Sequence, residues 1–274
     1  MTGSGQPENG APADIRTDIA HPARVYDYWL GGKDNFAADR AAADQVLSVM
    51  PEILDTVRGN RQFLVRAVRF LRDAGIRQFI DIGSGLPSSP NVHEIAQAGG
   101  TGARVVYVDN DPVVSVHAEA LMAQNHTTAV VRSDLRDVDE VLSRAGELLD
   151  FTRPAGLLFV GCLHHIVDSD DPAGLVARYL AALAPGSYLV ISHATDERSP
   201  EKMRANSEVA ESSGAVLIPR GKDAVLRMFN GRELIDPGLV LVSYWRPDGG
   251  EPSHRPARCC SSPSSRSPRP NSNN

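Results

Sequence analysis

Asp81, Asp109 and Asp134 each stand where an apolar run gives way to a turn, in QFIDIGSG, RVVYVDND and TTAVVRSD. Carboxylates accept hydrogen bonds from hydroxyl and amine groups; around a pyrophosphate they would repel the ligand, whereas around an uncharged nucleoside they suit it. Asp109 is placed to meet a ribose diol and Asp134 an exocyclic amine. Asp81, two residues before Gly83, organises the turn or meets a ligand ammonium through water. Gly83 and Gly85 supply backbone freedom beside it. Singly, any of these aspartates reads as a helix cap or turn residue, as Asp111 before Pro112 does. Three of them at successive run ends point to a ligand. A Walker loop would need a Lys-Ser/Thr pair, which is absent. The dinucleotide fingerprint lacks its third glycine, because Leu86, Pro87 and Ser88 follow Gly85.

A second group closes the next runs. AGLLFVGCLHH carries Cys162, His164 and His165 to the end of a fourth run, and His193 ends a fifth. An imidazole there is a base for an acceptor hydroxyl or protonated amine. If His164 and His165 lie on a strand, alternation lets one of them face a pocket. The competing reading makes each a loop histidine bonded to backbone. Cys162 reads as a small core residue.

These residues need elements to hold them. Strand patterns at 79–83, 104–111, 127–134, 155–165 and 187–193 alternate with helical patterns such as NRQFLVRAVRFLRD, with Phe63, Leu64, Ala67, Val68 and Leu71 on one face. Repeated strand–helix units predict an α/β domain on a mostly parallel sheet. ELIDPGLVLVSYW suits a closing antiparallel hairpin. Residues 1–14 read as a disordered lead, 15–75 as an N-terminal helical segment, 76–247 as the α/β domain, and the Ser/Pro/Arg-rich 248–274 as a disordered tail.

The chain has 274 residues, 42% hydrophobic and 23% charged, with net charge −6. This balance argues against a nucleic-acid partner, and no apolar run is long enough for a membrane span. Three cysteines offer neither a disulfide framework nor zinc-ligand spacing, and no metal is expected. A cytoplasmic protein is expected; its oligomeric state is not legible.

ARVYDYWLGGKDNFAADR (23–40), QFIDIGSGLPSSPNVHE (78–94), RVVYVDNDPVV (104–114), LHHIVDSDDPAGLV (163–176) and PGSYLVISH (185–193) together resemble the class I S-adenosylmethionine-dependent methyltransferases, and within them the bacterial S-adenosyl methyltransferase family. The resemblance spans about residues 20–247. It implies a Rossmann-like fold with a seven-stranded sheet, last strand antiparallel, helices on both faces, and S-adenosyl-L-methionine at the carboxyl ends. Asp81, Gly83 and Gly85 would match the first motif, Asp109 and Asn110 the ribose end, Ser133, Asp134 and Leu135 the adenine edge, and Cys162 the tip of the fourth strand. Pro87 departs from the usual third glycine. The N-terminal block is expected either to pack on the sheet or to fold over the cofactor as a helical lid, with Tyr26, Tyr28 or Asn35 facing the sulfonium. The implied activity is methyl transfer to a small-molecule acceptor, with His164 or His165 as base. The alternatives are a non-catalytic S-adenosylmethionine-binding regulator and a nicotinamide-dependent oxidoreductase.

Overall fold

The computed structural model describes residues 15–122 and 126–249, and the backbone of 260–262 and 264–266. The expected lead at 1–14 lies outside the described residues. Five strands, β1 (Gln78–Ile82), β2 (Arg104–Asp109), β3 (Thr128–Arg132), β4 (Gly156–Val160) and β5 (Tyr188–Ala194), run parallel in the order β3-β2-β1-β4-β5. Central β1 is buried at every position, as a parallel strand covered on both faces must be. Its Phe79, Ile80 and Ile82 are fully buried. At about 2 kcal/mol for each such side chain, they fix the strand and the turn that leaves it.

Both faces are covered. α3 (Ile53–Asp73) lays Phe63, Leu64, Ala67, Val68 and Leu71 against one face, beside α4 (Val92–Gln97). α6 (Val138–Ala145), α7 (Pro172–Ala181) and α9 (Lys222–Met228) cover the other. α5 (Pro112–Met122) follows β2, and Asp111 caps it by accepting the Val113 N–H at 2.7 Å. The strand sequence runs outward to β3 on one side of β1 and to β5 on the other. A crevice therefore opens between the carboxyl ends of β1 and β4, where such sheets bind ligands.

Over that crevice lies a further layer of α1 (Pro22–Trp29), α2 (Ala37–Val49), the start of α3, and α8 (Pro200–Ser212). A buried ion cluster holds the layer to the sheet. Arg24 Nε lies 3.2 Å from Asp111 Oδ2 and 3.5 Å from Asp39 Oδ1, and His21 Nδ1 lies 2.9 Å from Asp111 Oδ2. The Arg24 guanidinium also donates to the carbonyls of Arg16 and Ile19, so its charge is well partnered. Burial pushes the Asp111 carboxyl up, yet His21, the Val113 N–H and Arg24 bring it below its ordinary range.

Several expectations are corrected. The fourth strand stops at Val160, and Gly161 takes φ +79°, a left-handed turn open to glycine. His164 and His165 consequently sit in a single 3-10 turn, and strand alternation does not govern them. The closing hairpin does not form. β6 is only Val240–Leu241, followed by a 3-10 turn whose Val242 carbonyl, with that of Trp245, accepts from Arg66 of α3. The sheet has eight strands among the described residues instead of seven. β7 (Cys260–Ser262) pairs antiparallel with β5 and β6, and β8 (Ser264–Arg266) with β5.

Candidate functional site

The turn after β1 is shaped by two glycines that serve different ends. Gly83 and Gly85 both adopt φ +66°. A Cβ on Gly83 would lie 2.5 Å from Cys162 Cβ, so this glycine lets the tips of β1 and β4 pack together. A Cβ on Gly85 would meet nothing within 4 Å: it would project into open space. Gly85 is among the residues lining a cavity of about 580 Å³, within the range of small-molecule sites.

Asp81 and Asp109 line its floor. Burial pushes the Asp81 carboxyl up to about 7, against the pull of Arg61 and with help from Asp109. Asp109 accepts the Gly85 N–H at 2.8 Å on Oδ2 and the Asp111 N–H at 3.0 Å on Oδ1. Burial raises its pKa, and those two N–H groups oppose the rise. Each oxygen keeps a lone pair, which is what a vicinal diol requires.

Asn110, Ser133, Asp134 and Leu135 line the same end. Asp134 is more occupied than the sequence suggests. Arg136 donates to its Oδ1 from backbone N–H and Nε, both at 2.9 Å, and to Oδ2 at 2.6 Å, holding the carboxyl below its ordinary range. One lone pair on Oδ2 remains for an amine. Arg136 also reaches Asp170 at 3.0 Å, tying the loop after β3 to the one after β4.

Cys162, His164 and His165 line the cavity beyond β4. Cys162 donates its thiol to the Ile82 carbonyl at 3.2 Å, and burial pushes its pKa well up, which rules against a thiolate. The histidines differ in the nitrogen they have left. His165 Nδ1 sits 2.6 Å from the Val216 carbonyl, so Nδ1 carries the proton and Nε2 the lone pair. His164 Nδ1 accepts the Ala194 N–H at 3.4 Å, so its proton is on Nε2. Burial lowers the pKa of both. His193 is fully engaged: Nδ1 donates to the Ala194 carbonyl at 2.7 Å and Nε2 accepts from Arg220 at 3.1 Å, with burial lowering its pKa to about 4.

Two expected residues stand elsewhere. Tyr28 points its hydroxyl to Asp44, and Asn35 donates to Asp27 and the Gly32 carbonyl, fixing the turn between α1 and α2. Neither lines the cavity; Tyr26, Trp29 and Leu30 do. In an eight-residue helix these three share a face by their spacing, and Tyr28 falls opposite.

Sequence reasoning also missed Asn60, Arg61 and Ser192, which line the cavity. Asn60 is 5% and Ser192 1% exposed, and Asn60 Oδ1 and Ser192 Oγ have no hydrogen-bond partner among the described residues. Buried polar atoms are seldom left so unless a ligand or water completes them. One signal was available: Asn60 stands three residues before Phe63, on the apolar face of α3.

Fold and site together define a Rossmann-like methyltransferase. The S-adenosyl methyltransferase family matches the chain over residues 8–263. A DUF574-family protein of Streptomyces avermitilis is 38% identical, with 92% of this chain and 99% of that one covered and a TM-score of 0.88. A candidate methyltransferase of Thermobifida fusca is 39% identical, covers 92% and 96%, and has a TM-score of 0.85. An O-methyltransferase family protein of Burkholderia thailandensis, 15% identical over 82% of this chain and 62% of its own, has a TM-score of 0.50 and shows the fold alone. No curated protein matches. The chain belongs to the S-adenosyl methyltransferase family, and it is an S-adenosylmethionine-dependent methyltransferase.

The residues present fit that cofactor. Gly85 opens the floor, Asp109 retains lone pairs for a ribose, and Asp81 offers a buried carboxylate to a cationic ligand.

Proposed function

We propose that the chain methylates a small molecule, with the donor along the tips of β1, β2 and β3 and the acceptor under α1, α2, α3 and α8. One observation carries this reading: a single cavity runs from Asp109 to Met203 and Asn206 of α8, so the acceptor half is walled by helices. When bound, S-adenosylmethionine supplies a sulfonium methyl, whose carbon bonds to the acceptor's lone pair while the C–S electron pair stays on sulfur and the acceptor's proton leaves. Asp81 and Asp109 hold the donor. His165 Nε2 receives the proton. The N-terminal helices form a fixed wall that keeps water out and holds the acceptor in line.

The test of this reading uses methyl-labelled donor and a cell extract split into dialysable and retained fractions. Label is expected in the dialysable fraction; label confined to retained protein or nucleic acid would overturn it. With the labelled acceptor in hand, His165→Gln should lower kcat about a hundredfold with S-adenosylhomocysteine affinity unchanged. His164→Gln should lower it far less. A wild-type kcat indifferent to His165→Gln removes the base assignment.

The pH dependence has a definite sign. Burial lowers the pKa of His165 below its ordinary 6.5, so Nε2 is free throughout the neutral range. The kcat of the wild type should be flat from pH 7 to 8 and fall only below about 6.5, and the acid limb should vanish in His165→Gln.

A further inference from the structure

Asp81 suits only half of the donor's amino-acid end. S-adenosylmethionine and S-adenosylhomocysteine carry an ammonium and a carboxylate on one carbon. Asp81 and Asp109 line the floor of the cavity, and a ligand carboxylate brought beside two acidic side chains needs a cation of its own.

Most of the basic side chains that line the cavity among the described residues are committed. Arg136 is paired with Asp134 and Asp170, and His21 with Asp111. Burial disfavours the charged form of His164, His165 and His193. Arg61 is left, an always-charged group with no carboxylate partner among the described residues. Its guanidinium is oriented all the same. Nη2 donates to the Ser88 carbonyl and, at 2.6 Å, to the Pro90 carbonyl, which fix the group without neutralising it. Nε is buried and has no hydrogen-bond partner among the described residues, a state that a bound ligand would relieve.

The position of Arg61 puts it on the donor side. Arg61, Asp81, Ser84, Gly85, Leu86 and Ser88 line both the cavity and a small recess next to it. Ser88 and Pro90 belong to the loop that leaves Gly85, in which Pro87 stands in place of the usual third glycine. The charge of Arg61 also pulls the Asp81 carboxyl down against its burial, so the two side chains are electrostatic neighbours.

Resting on the donor placement above, we propose that Arg61 binds the carboxylate of the donor's amino-acid end while Asp81 takes its ammonium, so that the site selects a nucleoside bearing an intact α-amino acid. A nucleoside that has lost the carboxylate still brings its ammonium to Asp81, but leaves the Arg61 guanidinium unmatched.

Calorimetry on the full chain at pH 8 tests this with S-adenosylhomocysteine, its decarboxylated analogue, which keeps the ammonium, and methylthioadenosine, which lacks the amino-acid end. The wild type is expected to bind S-adenosylhomocysteine about tenfold or more tightly than the decarboxylated analogue. Arg61→Met should weaken S-adenosylhomocysteine by about the same factor and change the other two nucleosides by less than about threefold. Arg61→Lys, which keeps the charge and loses the planar fork, should recover part of the loss. The proposal is overturned if the wild type binds the decarboxylated analogue as tightly as S-adenosylhomocysteine, a comparison that needs no variant to fold. It is overturned equally if Arg61→Met keeps the affinity for S-adenosylhomocysteine, or weakens all three nucleosides alike, as a purely structural hold on the 88–90 loop would. A wrong donor placement shows separately and removes the proposal with it: S-adenosylhomocysteine then gives no heat with the wild type, or binds undiminished to Gly85→Val.

Discussion

Gly85→Val is expected to cost at least a thousandfold in affinity for S-adenosylhomocysteine while leaving a folded protein, a loss of about 4 kcal/mol. The reason is that the new Cβ would meet no protein atom within 4 Å beyond its chain neighbours, at a turn that lines the cavity the nucleoside needs. The cost to folding is confined to a non-glycine residue at φ +66°, roughly 1–2 kcal/mol. The neighbouring Gly83→Ala makes the control, because its Cβ would be forced to 2.5 Å from that of Cys162. That variant should lose thermal stability first and affinity only in consequence. Calorimetry and thermal denaturation separate the two. If Gly85→Val binds within tenfold of the wild type, the nucleoside does not lie over this turn.

The second large effect concerns Asp81. In the folded, ligand-free protein its carboxyl titrates at about 7 instead of 3.8, because burial disfavours the anion. Between those values the folded state binds a proton that the unfolded state has released, so stability falls as pH rises through the window. Above pH 7 the deficit is about 4 kcal/mol. Asp81→Asn should therefore raise the melting temperature of the ligand-free protein at pH 8 and change it little at pH 4. The same substitution should weaken S-adenosylmethionine binding about a hundredfold, because a cationic ligand needs the anion. In the wild type, affinity should climb as pH rises through 7, with proton release on binding. A variant that binds as tightly as the wild type would separate Asp81 from the cofactor.

The donor side of the site was legible in the sequence because its grammar is local. Asp81, Gly83 and Gly85 follow an apolar strand within five residues, and Asp109 and Asp111 do the same one strand later. The acceptor side is assembled from distant pieces: Tyr26 and Trp29 from α1, Asn60 from α3, Ser192 from β5 and Asn206 from α8. No spacing rule joins those positions. His164 and His165 show the intermediate case. Their presence at the end of the fourth run was readable, but the early stop at Gly161 was not, and the stop is what lets both line the cavity. Tyr28 and Asn35 were misplaced for simpler reasons: α1 is short and packs against α2 and α3 with Tyr28 turned to Asp44, and Asn35, in the turn that follows, is spent on Asp27 and the Gly32 carbonyl.

The ion cluster of His21, Arg24, Asp39 and Asp111 has a bearing on how this enzyme can be re-engineered. Asp111 adjoins the carboxylate meant for the ribose, and the Asp111 N–H is one of that carboxylate's two backbone donors. A chimera that imports foreign N-terminal helices, to broaden the range of acceptors, would strip Asp111 of Arg24 and His21 and disturb donor recognition on the opposite wall. Successful grafts must carry matching residues at all four positions, so new acceptor preferences are more readily sought on α8, which takes no part in the cluster.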